Sequence, residues 1–178
     1  GDLEFDVRAE GAGALRNATV ADLRAAWFSA STNLNVTGEQ ATVYLRVRDP
    51  RGRWNAGLLA KRGDHDRVNV NLFSTDLEPS PGPDLGFEIH TERGFAMVSF
   101  PVSAIDATAW HDLDGRYDGH QLELICDGRV MVRRPCAGGS LTANVEPLLI
   151  GAETDNGKVV RPFTGEVEEA ALWNRALT

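Results

Sequence analysis

Apolar side chains fall on every second residue through most of this chain. "TVYLRVRD" places Val43, Leu45 and Val47 on one face and Tyr44, Arg46 and Arg48 on the other. "RVNVNLF" sets Val68, Val70 and Leu72 against Asn69, Asn71 and Phe73, and "LGFEIHT" sets Leu85, Phe87 and Ile89 against Gly86, Glu88 and His90. In "WHDLDGRY", Trp110, Asp112, Asp114 and Arg116 share one face, and His111, Leu113 and Tyr117 share the other with Gly115 between them. A period of two marks a β-strand with one face turned to a core. "LEFDV", "AAWFS", "GLLAKR", "FAMVSF", "QLELIC", "RVMVR", "EPLLIG" and "EVEEAALW" continue the series. Turn sequences such as "DPRG", "RGDHD", "SPGPD", "YDG", "CDG" and "TDNG" separate the runs. Their spacing of about eight to twelve residues predicts an all-β fold, an antiparallel sandwich or barrel. Helical patterning is confined to "ATVADLRAAW", whose end reads better as a strand. "LEPSPGPD", with three prolines, is a loop inside one domain, since strand patterns continue on both sides of it.

The chain of 178 residues suits a single domain, expected over 1–178, large enough to bury a real core. A formal net charge of −8 disfavours nucleic acid and anionic membrane surfaces, which reward clustered Lys and Arg. No apolar run has the length of a membrane span, and the first residues lack the pattern of a signal peptide. The two cysteines, Cys126 and Cys136, are expected to be reduced. "LELICDGRVMV" reads as a hairpin turning at Asp127-Gly128, which puts Cys126 opposite Arg129. Cys136 then falls roughly 23 Å further along the partner strand. A disulfide needs Cα atoms within about 7 Å.

Several ordered stretches carry a resemblance. "WHDLDGRYDG" (110–119) leads into "HQLELICDG" and an apolar strand; "EPLLIGAE" (146–153) and "GEVEEAALWNRAL" (165–177) follow. Together these resemble laminin-G-like jelly rolls of the concanavalin A-like lectin and glucanase superfamily. The resemblance implies a two-sheet antiparallel jelly-roll sandwich. A second, weaker resemblance covers "WNAGLLAKRGDHDRVNVNLFS" and "LGFEIHT". It is to the version of this module appended to bacterial glycoside hydrolases, those acting on fructans among them. It implies an oligo- or polysaccharide as partner, a hydrolase domain in the same longer chain, and a secreted or periplasmic setting. Modules of this kind often hold a structural calcium, and Glu168 stands where many relatives carry an Asp ligand.

The fold hosts lectins, glucanases and adhesion modules, so function has to come from residues. Catalytic carboxylates of such glucanases sit two apart on one strand, followed by a third. Glu166 and Glu168 share a face here, but Ala170 and Ala171 follow, so the third is missing. Asp112 and Asp114, with Arg116 beyond, read as a solvated strand with an internal ion pair. The four histidines are scattered without metal-ligand spacing of their own. A binding site reads better. Asn69, Asn71, Glu88 and His90 lie on the non-core faces of two consecutive strands, and asparagine is depleted in ordinary strands. The adjoining loop supplies Asp64, His65, Asp66 and Arg67. The expected carbohydrate-binding set is therefore Asp64, His65, Asp66, Arg67, Asn71, Glu88 and His90, with Glu168 as the metal ligand. Trp54, among turn residues, is the best exposed aromatic platform, whereas Trp27, Trp110 and Trp173 read as residues in or near the core. The expected protein is a monomeric, non-catalytic carbohydrate-binding module. A structural or protein-binding adhesion-type domain is the alternative, and a glucanase the third reading.

Overall fold

The computed structural model describes residues 8–11, 15–16, 20–22, 26–30, 32, 34–64, 67–77 and 79–178, with side chains from residue 27 onward. Its strands are β1 (Arg8–Gly11), β2 (Leu15–Arg16), β3 (Val20–Asp22), β4 (Ala26–Ala30), β5 (Ala41–Arg48), β6 (Ala56–Arg62), β7 (Val68–Asp76) and β8 (Pro83–Thr91). They continue as β9 (Gly94–Pro101), β10 (His111–Tyr117), β11 (Gln121–Cys126), β12 (Arg129–Pro135), β13 (Leu148–Ile150), β14 (Glu153–Asp155), β15 (Lys158–Val160) and β16 (Glu166–Trp173). One seven-stranded sheet runs β1-β4-β13-β6-β7-β8-β9, and a second runs β12-β11-β10-β5-β16-β3-β2. β14 and β15 form a separate hairpin. The result is the expected all-β jelly-roll sandwich.

The alternating pattern is what closes the core. Val43, Leu45 and Val47 of β5 and Leu113 and Tyr117 of β10 face Val70 and Leu72 of β7 and Leu85, Phe87 and Ile89 of β8, all fully buried. Burial of each such side chain contributes about 1.5–3 kcal/mol. Gly115 interrupts its strand for a reason of contact. A Cβ there would overlap the ring of Phe87 from the facing sheet. Tyr117 reaches out of the apolar layer to donate its hydroxyl to Gly139 O at 2.6 Å.

The outer face of the second sheet is a field of ion pairs that cross between strands. Asp112 pairs with Arg46 of β5 at 2.9 Å and also accepts from Tyr44. Arg116 pairs with Glu123 of β11, which is shared with Arg133. The ion pair expected within "DLDGR" is therefore replaced by partners on neighbouring strands, because residues two apart point the same way but residues in register stand closer. Trp110 lies half-buried beneath Arg46 and Arg48, whose guanidinium carbons are 5.8 and 5.0 Å from the ring centre.

The "CDGR" hairpin folds as its sequence predicts. Asp127 and Gly128 both adopt positive φ, 52° and 74°, and Cys126 stands opposite Arg129. Cys126 is buried, Cys136 half-buried, and both are free thiols. A thiol count on unfolded, unreduced protein is therefore expected to give two. A count of zero would show that the two strands do not keep this register.

Trp54 is not the exposed platform its neighbours suggested. It is fully buried. Its indole N–H donates to Ala107 O at 2.6 Å, and its ring lies 6.0 Å from that of Phe163. The cause is the preceding turn. The Asp49 carboxylate accepts from the amides of Arg51, Arg53 and Trp54 at 2.9, 3.0 and 3.1 Å. That cap holds Trp54 at a positive φ of 33° and turns its side chain inward.

Candidate functional site

β7 and β8 pair with Asn71 opposite Glu88, and β8 and β9 pair with Glu88 opposite Met97. One register step along, Phe73 stands opposite Gly86 on one side and Gly57 on the other. Both glycines make room. A Cβ on Gly86 would enter the Phe73 ring, so the ring lies across the backbone of β8. A Cβ on Gly57 would stand 2.5 Å from the carbonyl carbon of Ala152, so only glycine lets the chain leading into β14 cross this close to β6.

The β14–β15 hairpin turns at Asn156-Gly157, with positive φ of 48° and 75°. It is tied down beside β6 by Gly57 N to Arg161 O at 3.0 Å and Asn156 N to Gly63 O at 2.8 Å. Lys61, fully buried, donates to Thr32 O at 2.7 Å, Asn144 O at 3.3 Å and Glu146 O, and so anchors the loop ahead of β13. The outer face of the first sheet is thus covered by chain from much later in the sequence.

Between the hairpin and the edge strand β9 lies a cleft of about 570 Å³. Phe73, Thr75 and Glu88 contribute from the central strands, Arg62 from the end of β6, Glu153, Asp155, Val160 and Arg161 from the hairpin segment, Leu77 from the loop after β7, and Phe95 and Met97 from β9. Phe95 is 48% exposed, a large apolar side chain at the rim.

The polar groups of the cleft form one network. Glu153 accepts from Arg62 Nη1 at 2.9 Å and Arg161 Nη2 at 2.7 Å, one on each carboxylate oxygen. Glu88 accepts from Asn71 Nδ2 at 2.9 Å and lies 3.7 Å from Arg62 Nε. The Asn71 amide also reaches Glu153 at 3.4 Å. Arg161 holds its guanidinium 5.9 Å from the centre of the Phe73 ring. Two guanidinium groups thus face two carboxylates, which makes burial of Arg62, Glu88 and Glu153 tolerable. Among the described residues, Arg62 Nε, Arg161 Nε and Asn71 Oδ1 in this cluster, and Thr154 Oγ1 in the hairpin, are buried without a hydrogen-bond partner. Such atoms are costly unless something supplies their bonds.

Of the residues expected from sequence, Glu88 lines this cleft and Asn71 lies fully buried beneath it. His90 is half-buried one register step away, opposite Phe95. Asp64 and Arg67 are tied to each other at 3.0 Å, and Arg67 also reaches Glu146 at 3.3 Å; neither lines the cleft. His65 and Asp66 lie outside the described residues. Asn69 is fully buried and binds backbone, receiving Val36 N and donating to Val36 O and Thr142 O. Arg62, Phe73, Glu153 and Arg161 were missed. A signal existed, since "TDNG" between two short runs is a hairpin sequence, and it carries a Glu and an Arg at its two ends. At Glu168, the expected metal ligand, the surroundings do not fit calcium. Its carboxylate is engaged by Arg46 on an open face, and calcium takes six to eight oxygens.

A family model described as the concanavalin A-like lectin/glucanases superfamily matches residues 25–178. The chain belongs to this superfamily. Among solved structures it is similar to the Ruminococcus gnavus IT-sialidase CBM40 bound to α2,3-sialyllactose. The two share 18% identity at a TM-score of 0.65, over 100% of this chain and 95% of that one. It is also similar to the ligand-binding domain of botulinum neurotoxin serotype D in complex with N-acetylneuraminic acid. There the identity is 8% and the TM-score 0.63, over 98% of this chain and 43% of that one. At these identities the likeness is one of fold. No curated protein matches the chain.

Proposed function

We propose that this superfamily member is a non-catalytic carbohydrate-binding module whose cleft between β9 and the β14–β15 hairpin takes an oligosaccharide. The observation that carries the reading is the exposed ring of Phe95 at the rim of the same cleft as the Arg62–Glu88–Glu153–Arg161 network. A sugar ring offers an apolar C–H face and an edge of hydroxyls that both donate and accept. An aromatic ring beside fixed donors and acceptors matches both surfaces. The guanidinium groups of Arg62 and Arg161 in the cleft lining favour a ligand with an acceptor-rich edge, such as the carboxylate of an acidic sugar. The two structural neighbours named for sialyllactose and N-acetylneuraminic acid bind sugars of that kind.

Catalysis fits less well. Glycoside hydrolysis uses one carboxyl as proton donor and a second as nucleophile or base. Glu153 has both oxygens engaged by arginines, and Glu88 is held by Asn71 beside Arg62. Service as an accessory to a glycoside hydrolase domain follows from the sequence resemblance, and one neighbour is named as part of a sialidase. The fructan expectation rests on that resemblance alone, so fructan is the second sugar to test.

Calorimetric titration with α2,3-sialyllactose and with a fructo-oligosaccharide tests the reading. Arg161→Ala is expected to cost about 1.5–3 kcal/mol of binding, one to two decades in Kd. Arg67→Ala, outside the cleft lining, is expected to leave Kd unchanged. The opposite pattern would move the site to the Asp64–Arg67 turn, and no binding of any sugar by a folded chain would favour the structural or protein-binding reading.

A further inference from the structure

At one end of the second sheet, away from the cleft residues, three ligand-bearing side chains converge. His111 opens β10, Cys126 closes β11, and Asp127 starts the turn that follows. His111 and Cys126 point inward and are buried, while Asp127 remains half exposed at its side chain, 52%. The positive φ of Asp127 bends its carboxylate back over the strand end. His111 Nδ1 lies 2.8 Å from Asp127 Oδ2, and Cys126 Sγ lies 3.6 Å from each of them.

The hydrogen bonds of the ring expose a mismatch. His111 Nε2 is 2.7 Å from Asp106 O, a carbonyl that only accepts. Nδ1 faces a carboxylate, which also only accepts. A neutral imidazole has one proton for these two acceptors. A second cation, a proton or a metal ion, therefore has to sit at Nδ1. A proton at Nδ1 would join the nitrogen to the carboxylate, with the Cys126 thiol donating to the same carboxylate oxygen at 3.6 Å. A metal ion takes all three as ligands.

We propose that His111, Cys126 and Asp127 form a binding site for zinc or a similarly thiophilic divalent ion. The fit can be judged from bond lengths. Zinc takes thiolate sulfur at about 2.3 Å and nitrogen or oxygen at about 2.0–2.1 Å, so tetrahedral ligands stand roughly 3.3–3.5 Å apart. Two of the three distances here already lie close to that, and the third opens by about half an ångström. Sulfur with imidazole selects zinc over calcium or magnesium, which want oxygen. The outer contacts are those that orient metal ligands. Asp106 O fixes the ring tautomer so that Nδ1 presents its lone pair, and Asp112 N holds the other oxygen of Asp127 at 2.9 Å. Solvent reaches the Asp127 side and supplies the fourth ligand. Loading releases the thiol proton of Cys126 and pins the β10–β11 hairpin end.

The test uses the whole chain, first stripped with a chelator and kept reduced. Cobalt(II) is added as a spectroscopic probe and zinc in a calorimeter. One equivalent is expected to bind, with thiolate-to-cobalt charge-transfer absorption and the d–d bands of tetrahedral cobalt. Zinc at a hundred to a thousand times its Kd is expected to raise Tm by about 5–15 °C. Cys126→Ser should abolish the charge-transfer band, and Asp127→Asn, at an exposed position, should weaken zinc binding at least tenfold. Cys136→Ser should change neither. Bands that survive Cys126→Ser, bands that vanish with Cys136→Ser, or zinc affinity no tighter than millimolar would each overturn the site and leave a histidine held by a proton alone.

Discussion

Glu153→Ala is expected to remove about 3–5 kcal/mol of folding stability and to abolish sugar binding with it. Glu153 is 2% exposed and sits under the hairpin with both carboxylate oxygens occupied. Its removal leaves Arg62 and Arg161 without their shared counter-ion. Among the described residues, Arg62, whose side chain is 8% exposed, keeps the longer 3.7 Å contact to Glu88. A buried guanidinium in that state costs far more than the same pair costs when it is replaced whole. In a chain of this size the midpoint of thermal unfolding should fall by about 6–20 °C. Urea denaturation of the variant measures the loss directly, and a loss below about 1 kcal/mol would show that the network is solvated rather than buried. The double variant Glu153→Met with Arg62→Met should recover most of the stability while binding stays lost. That outcome separates the network's role in the ligand site from its role in the fold.

Trp54→Ala is expected to be equally costly, about 3–5 kcal/mol, for a different reason. It empties the volume between the Asp49 turn and Phe163, and it strips Ala107 O of the indole N–H. The residue was the leading aromatic platform on sequence grounds, so the variant decides between two roles. A platform at the surface would lose affinity with stability intact. A core residue loses stability, while the protein that remains folded binds sugar with unchanged Kd. Chemical denaturation and calorimetry at a temperature below the lowered midpoint report both quantities on one sample.

The strand faces were legible because each depends on a few adjacent residues. Val43, Leu45 and Val47 against Tyr44, Arg46 and Arg48 needs only the period of two, and the Cys126–Arg129 pairing needs only the geometry of an Asp-Gly turn. What lies over the non-core face was not legible. Alternation assigns Asn69 and Asn71 to that face but does not say that chain from residues 142 to 161 lies over it. That covering converts a polar strand surface into a network in which Asn71, Glu88, Arg62 and Glu153 are buried. The same limit hid Glu153, since its partners Arg62 and Asn71 stand more than eighty residues earlier in the chain, and with it Arg161, which pairs with Glu153. Turn-forming neighbours suggest exposure for Trp54, whereas the Asp49 cap directs the side chain to the core. Alternation also places Glu88 on the non-core face of its strand, and the structure sets it opposite Asn71 in the cleft lining.

The most direct measurement of where the sugar binds is a crystal structure of the chain grown with the tightest-binding oligosaccharide. A sugar ring lying against Phe95, with its oxygens toward Arg62, Glu88 or Arg161, is the predicted result. A sugar bound at the Asp64–Arg67 turn, or over Trp110 on the opposite sheet, with the cleft between β9 and the β14–β15 hairpin left to solvent, would contradict it.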